Sequence, residues 1–223
     1  MNSLHHRLLG LLAVGLLTAP VAQAVTFHPI SSITSSTAAT DFWSVNNLIQ
    51  GPGIGFDANA PFRRSDPLGS NTEWVTAQNN PDYFGALPAP VLTIDLGADR
   101  LLSEISVWGY LDSNNNGASA FSLRFATAAD GLGGFGTSIT YTPSISGLLN
   151  DSYVRQSFAL NPLTARYVEM TITDNFYDAA NSGRGGDRVG LGEIAFQQVP
   201  EPGTLALLSL GLAALAASRW RKQ

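Results

Sequence analysis

The chain reads as an all-β protein, a β-sandwich of seven or eight short strands. Three observations predict it. Short segments alternate apolar and polar side chains, the period of a strand with one buried face. Clusters of Gly, Asn, Asp and Pro separate those segments, and these residues supply the dihedrals that turns need. Between residues 25 and 198 no stretch sustains a 3.6-residue apolar period beyond a single turn over 42–49.

The strands follow in order. Residues 91–96 place Leu92, Ile94 and Leu96 on one face. After an expected turn at Gly97, Ala98 and Asp99, residues 102–110 point Ile105 and Val107 inward. Residues 121–125 alternate Phe121, Leu123 and Phe125 with Ser122 and Arg124. Segments 138–142 and 153–160 continue the series. Residues 166–173 set Val168, Met170 and Ile172 opposite Tyr167, Glu169 and Thr171, and 189–196 close it with Ile194 and Phe196 on one face. Strands at this spacing point to a sandwich.

The two termini carry different patterns. His5, His6 and Arg7 precede an apolar run over 8–17, and Ala22-Gln23-Ala24 follows, the three-part pattern of a secretory signal peptide. Cleavage by signal peptidase, after passage through the secretion translocon, is expected between Ala24 and Val25. At the other end Val199, Pro200, Glu201 and Pro202 precede a 15-residue apolar run over 203–217, then Arg219, Trp220, Arg221 and Lys222. A bilayer span needs about 20 apolar residues, so Trp220 and the cations extend the reach from the interface. Arg219, Arg221 and Lys222 then form the cytoplasmic stop, and the chain before Val199 lies outside. Pro200 and Pro202 keep the preceding segment extended.

That order resembles the PEP-CTERM sorting signal of Gram-negative bacteria. The resemblance implies transient inner-membrane insertion, processing by an exosortase-type transpeptidase, and a final place at the cell surface or in the extracellular matrix. A plain C-terminal membrane tail is the alternative. The expected plan is a signal peptide over 1–24, one domain over 25–198 and a sorting signal with a hydrophobic helix over 199–223.

Composition narrows the chemistry. Residues 25–200 hold 16 acidic residues against 8 arginines and no lysine, a formal charge of −8. Such a surface repels nucleic acid. The chain has no cysteine, which removes thiol nucleophiles, thiolate zinc sites and iron–sulfur clusters. His28 is the one histidine left after signal removal, so multi-histidine metal sites are excluded and a Ser-His-Asp triad would have to use it.

Five short motifs run in order through the domain: Val-Asn-Asn-Leu-Ile-Gln-Gly over 45–51, Thr-Glu-Trp over 72–74, Ile-Asp-Leu-Gly over 94–97, Ala-Arg-Tyr-Val over 165–168 and Leu-Gly-Glu-Ile over 191–194. Together they resemble the discoidin, or coagulation-factor type C, domains and their galactose-binding-like relatives, which implies a jelly roll. It also implies one structural calcium ion. Thr72 and Glu193 match family ligands, and Gln50 stands where the family has Asp, an amide in place of a carboxylate that weakens a hard-cation site. The alternative is that Thr72 and Glu193 only hydrogen-bond their own loops.

Loops at one end of related domains hold glycans by aromatic stacking and arginine hydrogen bonds. The resemblance makes Phe62, Arg63, Arg64, Tyr83 and Phe84 candidate ligand-binding residues. The mixed charge and aromatics of the irregular 174–188 stretch add Phe176, Tyr177, Arg184 and Arg188, with a solvated loop pinned by Arg–Asp pairs as the alternative. Phe56 and Phe62 read equally well as a small satellite core under the long 51–71 loop. Asp112, Asn114, Asn116 and Gly117 imitate half of a calcium-binding EF-hand loop, but Leu123 stands where the closing Glu belongs, so an Asn-rich hairpin is the expectation.

The function expected is an exported, sorted surface or matrix protein, non-catalytic, whose domain binds polysaccharide or another surface component. The alternatives are a structural exported protein without a specific ligand and a carbohydrate-active enzyme using paired carboxylates. No Asp or Glu pair sits in a recognisable acid/base motif.

Overall fold

The computed structural model describes residues 25–39, 43–57, 73–78, 82–110, 116–142, 155–177, 185–198 and 211. Nine strands run through these residues: β1 (Phe27–His28), β2 (Ser32–Ser35), β3 (Trp74–Val75), β4 (Val91–Trp108), β5 (Ala118–Ala126), β6 (Ile139–Tyr141), β7 (Arg155–Asn175), β8 (Gly190–Leu191) and β9 (Glu193–Gln198). The expected turn over 42–49 is a 3₁₀ helix, Val45–Ile49, whose N-cap Ser44 accepts from the Asn46 N–H.

All pairings among the named strands are antiparallel. The main sheet runs β1-β9-β4-β7-β5-β6, with β2 added to β4, and β3 pairs with β8 in a second, two-stranded sheet. Along one edge β4 takes two partners in turn: β2 pairs with Leu92 to Asp95, and β9 with Leu102 to Trp108. Its other edge carries β7 along both halves.

The expected turn at Gly97, Ala98 and Asp99 is corrected here. These residues lie inside β4, where the register with β7 shifts between Asp95 and Arg100 around Gly97, whose φ is +76°. The segments 153–160 and 166–173 likewise fuse into one strand, β7. A straight strand of 18 residues would span about 60 Å, against a radius of gyration of about 16 Å for a domain of this length. The β4–β7 pair therefore has to bend, and the irregularity supplies the bend. Leu92, Ile94 and Leu96 before it and Leu102, Ile105 and Val107 after it belong to one core cluster. Two layers built from the same pair of bent strands, packed on a shared core, make a jelly-roll β-sandwich.

That core also takes Phe121, Leu123, Val168, Met170, Ile172, Ile194 and Phe196, as the alternation predicts. β9 is less one-sided than its sequence suggests, because Glu193 to Phe196 are all buried. Ile194 and Phe196 face the main core, while Ala195 joins a second cluster with Trp108 and Phe56. Phe56 stacks on Trp108 at 4.8 Å and 11°, and Phe27 meets Phe56 edge-on at 5.0 Å. The satellite core expected of Phe56 is thus present on the outer face of the β9–β4 layer. Phe62 lies outside the described residues.

Candidate functional site

The loops that leave β3, β7 and the entry to β4 meet at one pole of the sandwich, and Gly186 is their junction. The Asn116 side-chain oxygen accepts from the Gly186 N–H at 2.6 Å, and the Gly186 carbonyl accepts from the Tyr83 N–H at 2.8 Å. Asn175, almost wholly buried, donates from Nδ2 to the carbonyls of Gly186 and Arg188, and its side-chain oxygen accepts from the Tyr177 N–H. Gly186 has φ +95°, and a Cβ there would stand 2.0 Å from Cδ2 of Tyr177. Only glycine fits, on both counts.

This arrangement gathers four of the expected ligand residues at one rim. Phe84, Phe176, Tyr177 and Arg188 are all partly exposed, and Arg188 donates from Nη2 to the Gln78 side-chain oxygen at 3.0 Å and lies 3.9 Å from Asp187. Tyr83 is corrected: it is 1% exposed and belongs to the main core. Its ring meets Phe84 edge-on at 5.3 Å and serves as the floor beneath the rim. Burial raises the Tyr83 hydroxyl above the usual tyrosine range, with a hydrogen bond from Thr37 opposing it. Phe62, Arg63, Arg64 and Arg184 lie outside the described residues.

Neither Asn116, which the sequence offers as part of an EF-hand-like run, nor Asn175, in the irregular 174–188 stretch, is among the expected ligand residues. Both hold the rim because a carboxamide can bridge a backbone donor and a backbone acceptor at once. Asn116 is buried with its side-chain oxygen on the Gly186 N–H, and Leu123 is buried in β5, whereas Asp112 and Asn114 of the expected hairpin lie outside the described residues.

A second feature occupies the outer face of the β9–β4 layer. Glu193, opposite Trp108 in the register, is fully buried. Its Oε1 accepts from the Gly51 N–H at 3.1 Å, and the loop closes so tightly that a Cβ on Gly55 would sit 2.0 Å from Oε2. Gln50 and Glu193 line the same cleft of about 590 Å³ with residues 25–30, Pro52, Phe56 and Gln198. Both are oxygen donors of the kind calcium takes. Thr72 lies outside the described residues, and among those described no three His, Cys, Asp or Glu side chains converge.

At the opposite pole the first and last residues of the described domain meet. The Gln198 N–H donates to the Thr26 carbonyl at 3.0 Å, the Thr26 hydroxyl donates to Oε1 of Gln198 at 3.2 Å, and Nε2 of Gln198 donates to the Phe27 carbonyl at 3.4 Å. His28 lies beside them with Nε2 3.2 Å from the Leu101 carbonyl. Desolvation holds its pKa below the usual histidine value; the Leu101 contact opposes this, and Arg100 adds to it. Val25 is exposed, and Ala22 and Ala24, the other expected cleavage residues, lie outside the described residues. So do Val199, Pro200, Glu201, Pro202, Arg219, Arg221 and Lys222, and with them the expected C-terminal helix. Among the described residues no helix is long and apolar enough to cross a membrane.

The family model for the PEP-CTERM protein-sorting motif matches residues 198–222. No curated protein matches the sequence. Among solved structures, the third family 32 carbohydrate-binding module of a family 31 glycoside hydrolase from Clostridium perfringens aligns with a TM-score of 0.55 at 14% identity, over 79% of this chain and 96% of that one. The first two such modules of Clostridium perfringens ZmpB, in complex with GalNAc, align with a TM-score of 0.54 at 12% identity, over 79% of this chain. This chain spans 36% of that two-module chain. At these identities the likeness is one of fold. The chain carries a PEP-CTERM sorting motif at its C-terminus, behind a jelly-roll domain whose structural neighbours include family 32 carbohydrate-binding modules.

Proposed function

We propose that this is an exported, exosortase-processed surface or matrix protein whose domain binds polysaccharide, without catalysis, through the rim around Gly186. The observation that carries the reading is the PEP-CTERM motif standing directly behind a jelly roll of the carbohydrate-binding-module type. The rim suits the task. Phe84, Phe176 and Tyr177 offer ring faces for sugar C–H groups, and Arg188 offers forked donors to hydroxyl or carboxylate oxygens. Arg188 shares its charge with Asp187 and Gln78, and an overall acidic domain does not attract nucleic acid. A glycan array probed with the secreted domain tests this. Saturable binding that Tyr177→Ala or Arg188→Ala removes is expected, and a protein that retains no glycan contradicts the reading.

Calcium belongs to the same proposal. Glu193 and Gln50 would hold it, with Thr72 as a third side chain, and the ion would tie the 50–56 loop to β9. Chelation should then lower Tm, and calcium should restore it. An unchanged Tm would mean that the Gly51 N–H and the loop satisfy Glu193 themselves.

A further inference from the structure

The sorting motif begins inside the fold. Its match starts at Gln198, which is a β9 residue with register partner Leu102 and hydrogen bonds to Thr26 and Phe27. Val199 alone separates it from Pro200. The residue that clasps it, Thr26, is the second after the expected signal-peptide cleavage. The expected signal-peptide cleavage and the sorting motif thus flank one rung that extends the β1–β9 pair, between residues 172 apart in sequence.

Chain length turns this into a constraint. From Gln198 to Gly203, where the apolar run begins, the backbone reaches at most about 18 Å. Roughly 6 Å of that lies in the headgroup layer on one side of a bilayer. Only about 12 Å remains between lipid and the folded domain. An enzyme that takes Pro-Glu-Pro as an extended peptide occupies that gap, and extended-peptide recognition uses the backbone groups of the flanking residues. On the upstream side those groups belong to Val199 and Gln198, and the Gln198 N–H is committed to the Thr26 carbonyl.

We infer that the Thr26–Gln198 corner is the face the domain presents to the membrane-embedded processing enzyme, and that this last rung opens when the enzyme takes hold. The inference rests on the sorting reading above. β9 runs from Glu193, beside the rim, to Gln198 at the exit, about 17 Å as an extended strand. The same corner that faces the membrane therefore leaves the rim pointing away from it, toward the matrix.

The absence of cysteine in the chain makes a clean test. Residues facing each other across an antiparallel pair lie about 4.5–5.5 Å apart at Cα, inside the disulfide range of about 4.4–6.8 Å. The full-length double variant Thr26→Cys, Gln198→Cys, expressed in a host that carries the processing enzyme, forms the only disulfide available. Pulse-chase should show precursor processing slowed by an order of magnitude or more, recovering on reduction or on inserting a Gly-Ser linker between Gln198 and Val199. A disulfide verified on a non-reducing gel, with processing at the unlocked rate, overturns the inference. Pro200→Ala, Glu201→Ala, Pro202→Ala in one chain is the separate control. If it blocks processing while the lock does nothing, the sorting reading stands and the corner inference falls. Processing at the normal rate in that control overturns both.

Discussion

At the rim pole, Asn116 and Asn175 sit at 3% exposure and fix Gly186 and Arg188 through carboxamide hydrogen bonds. At the exit pole, Thr26 and Gln198 hold the chain ends through bonds whose side-chain member is open to solvent. The difference lies in desolvation. A buried polar group stripped of its partner costs about 1–3 kcal/mol, whereas an exposed one regains water. The rim is built to keep its shape, and the exit is built to come apart. One pole suits recognition of a ligand without reorganisation, the other suits handing over a strand end.

Four sets of substitutions and one titration test that contrast, and the largest effect is expected midway between the poles. Phe56→Ala removes the ring stacked on Trp108 and should cost about 3–5 kcal/mol, a fall in Tm on the order of 10 °C by calorimetry. A much smaller fall would mean that the 51–56 loop is not a structural cover. Asn175→Ala takes a donor from the Arg188 and Gly186 carbonyls, of which Gly186 keeps the Tyr83 N–H, and an acceptor from the Tyr177 N–H. It should cost about 1–3 kcal/mol and loosen the Tyr177 side of the rim. Gly55→Ala forces a methyl into the Glu193 carboxylate at a cost of about 1–3 kcal/mol, and if calcium is held there its effect on Tm should vanish as well. The pair Thr26→Val, Gln198→Ala at the exit should cost less than about 1 kcal/mol in denaturant unfolding. A cost equal to that of Asn175→Ala would erase the distinction.

The smallest effect is a titration at the exit pole. Desolvation lowers the His28 pKa in the folded state, so the unfolded chain binds a proton more readily. Stability from this group is complete above the unfolded value of about 6.5. It declines as pH falls through that value toward the lower folded pKa, and His28→Gln should flatten the slope. On the far layer Asp95 works in the acid range. Its pair with Arg166, at 2.9 Å, holds the carboxyl below the usual aspartate value, so that contribution is lost only as pH falls through the lowered pKa.

The sandwich was legible where one face of a strand is wet. Leu92, Ile94, Leu96, Val168, Met170 and Ile172 alternate because their neighbours meet solvent, and all six are buried as the period requires. β1, β2 and β3, of two to four residues, are too short to show a period, while the short β6 and β8 are legible only as parts of the longer segments 138–142 and 189–196. Gly97-Ala98-Asp99 has turn chemistry, and sequence does not distinguish a reversal from a bulge that lets a paired strand bend. The rim was half legible. Tyr177 and Arg188 announce themselves by type, but Tyr83 follows Pro-Asp in a turn-like stretch, and its burial comes from packing that no local pattern encodes. Asn175 was hidden for the opposite reason, because a polar residue in a loop reads as solvated until its three backbone partners are seen.

Hydrogen–deuterium exchange of the secreted domain, with and without the polysaccharide it retains, addresses the central claim most directly. Binding through the rim should protect backbone amides over 82–88, 174–177 and 185–188 and leave 25–30 and 193–198 unchanged. Protection confined to the chain-end pole, with the rim exchanging as before, would contradict it.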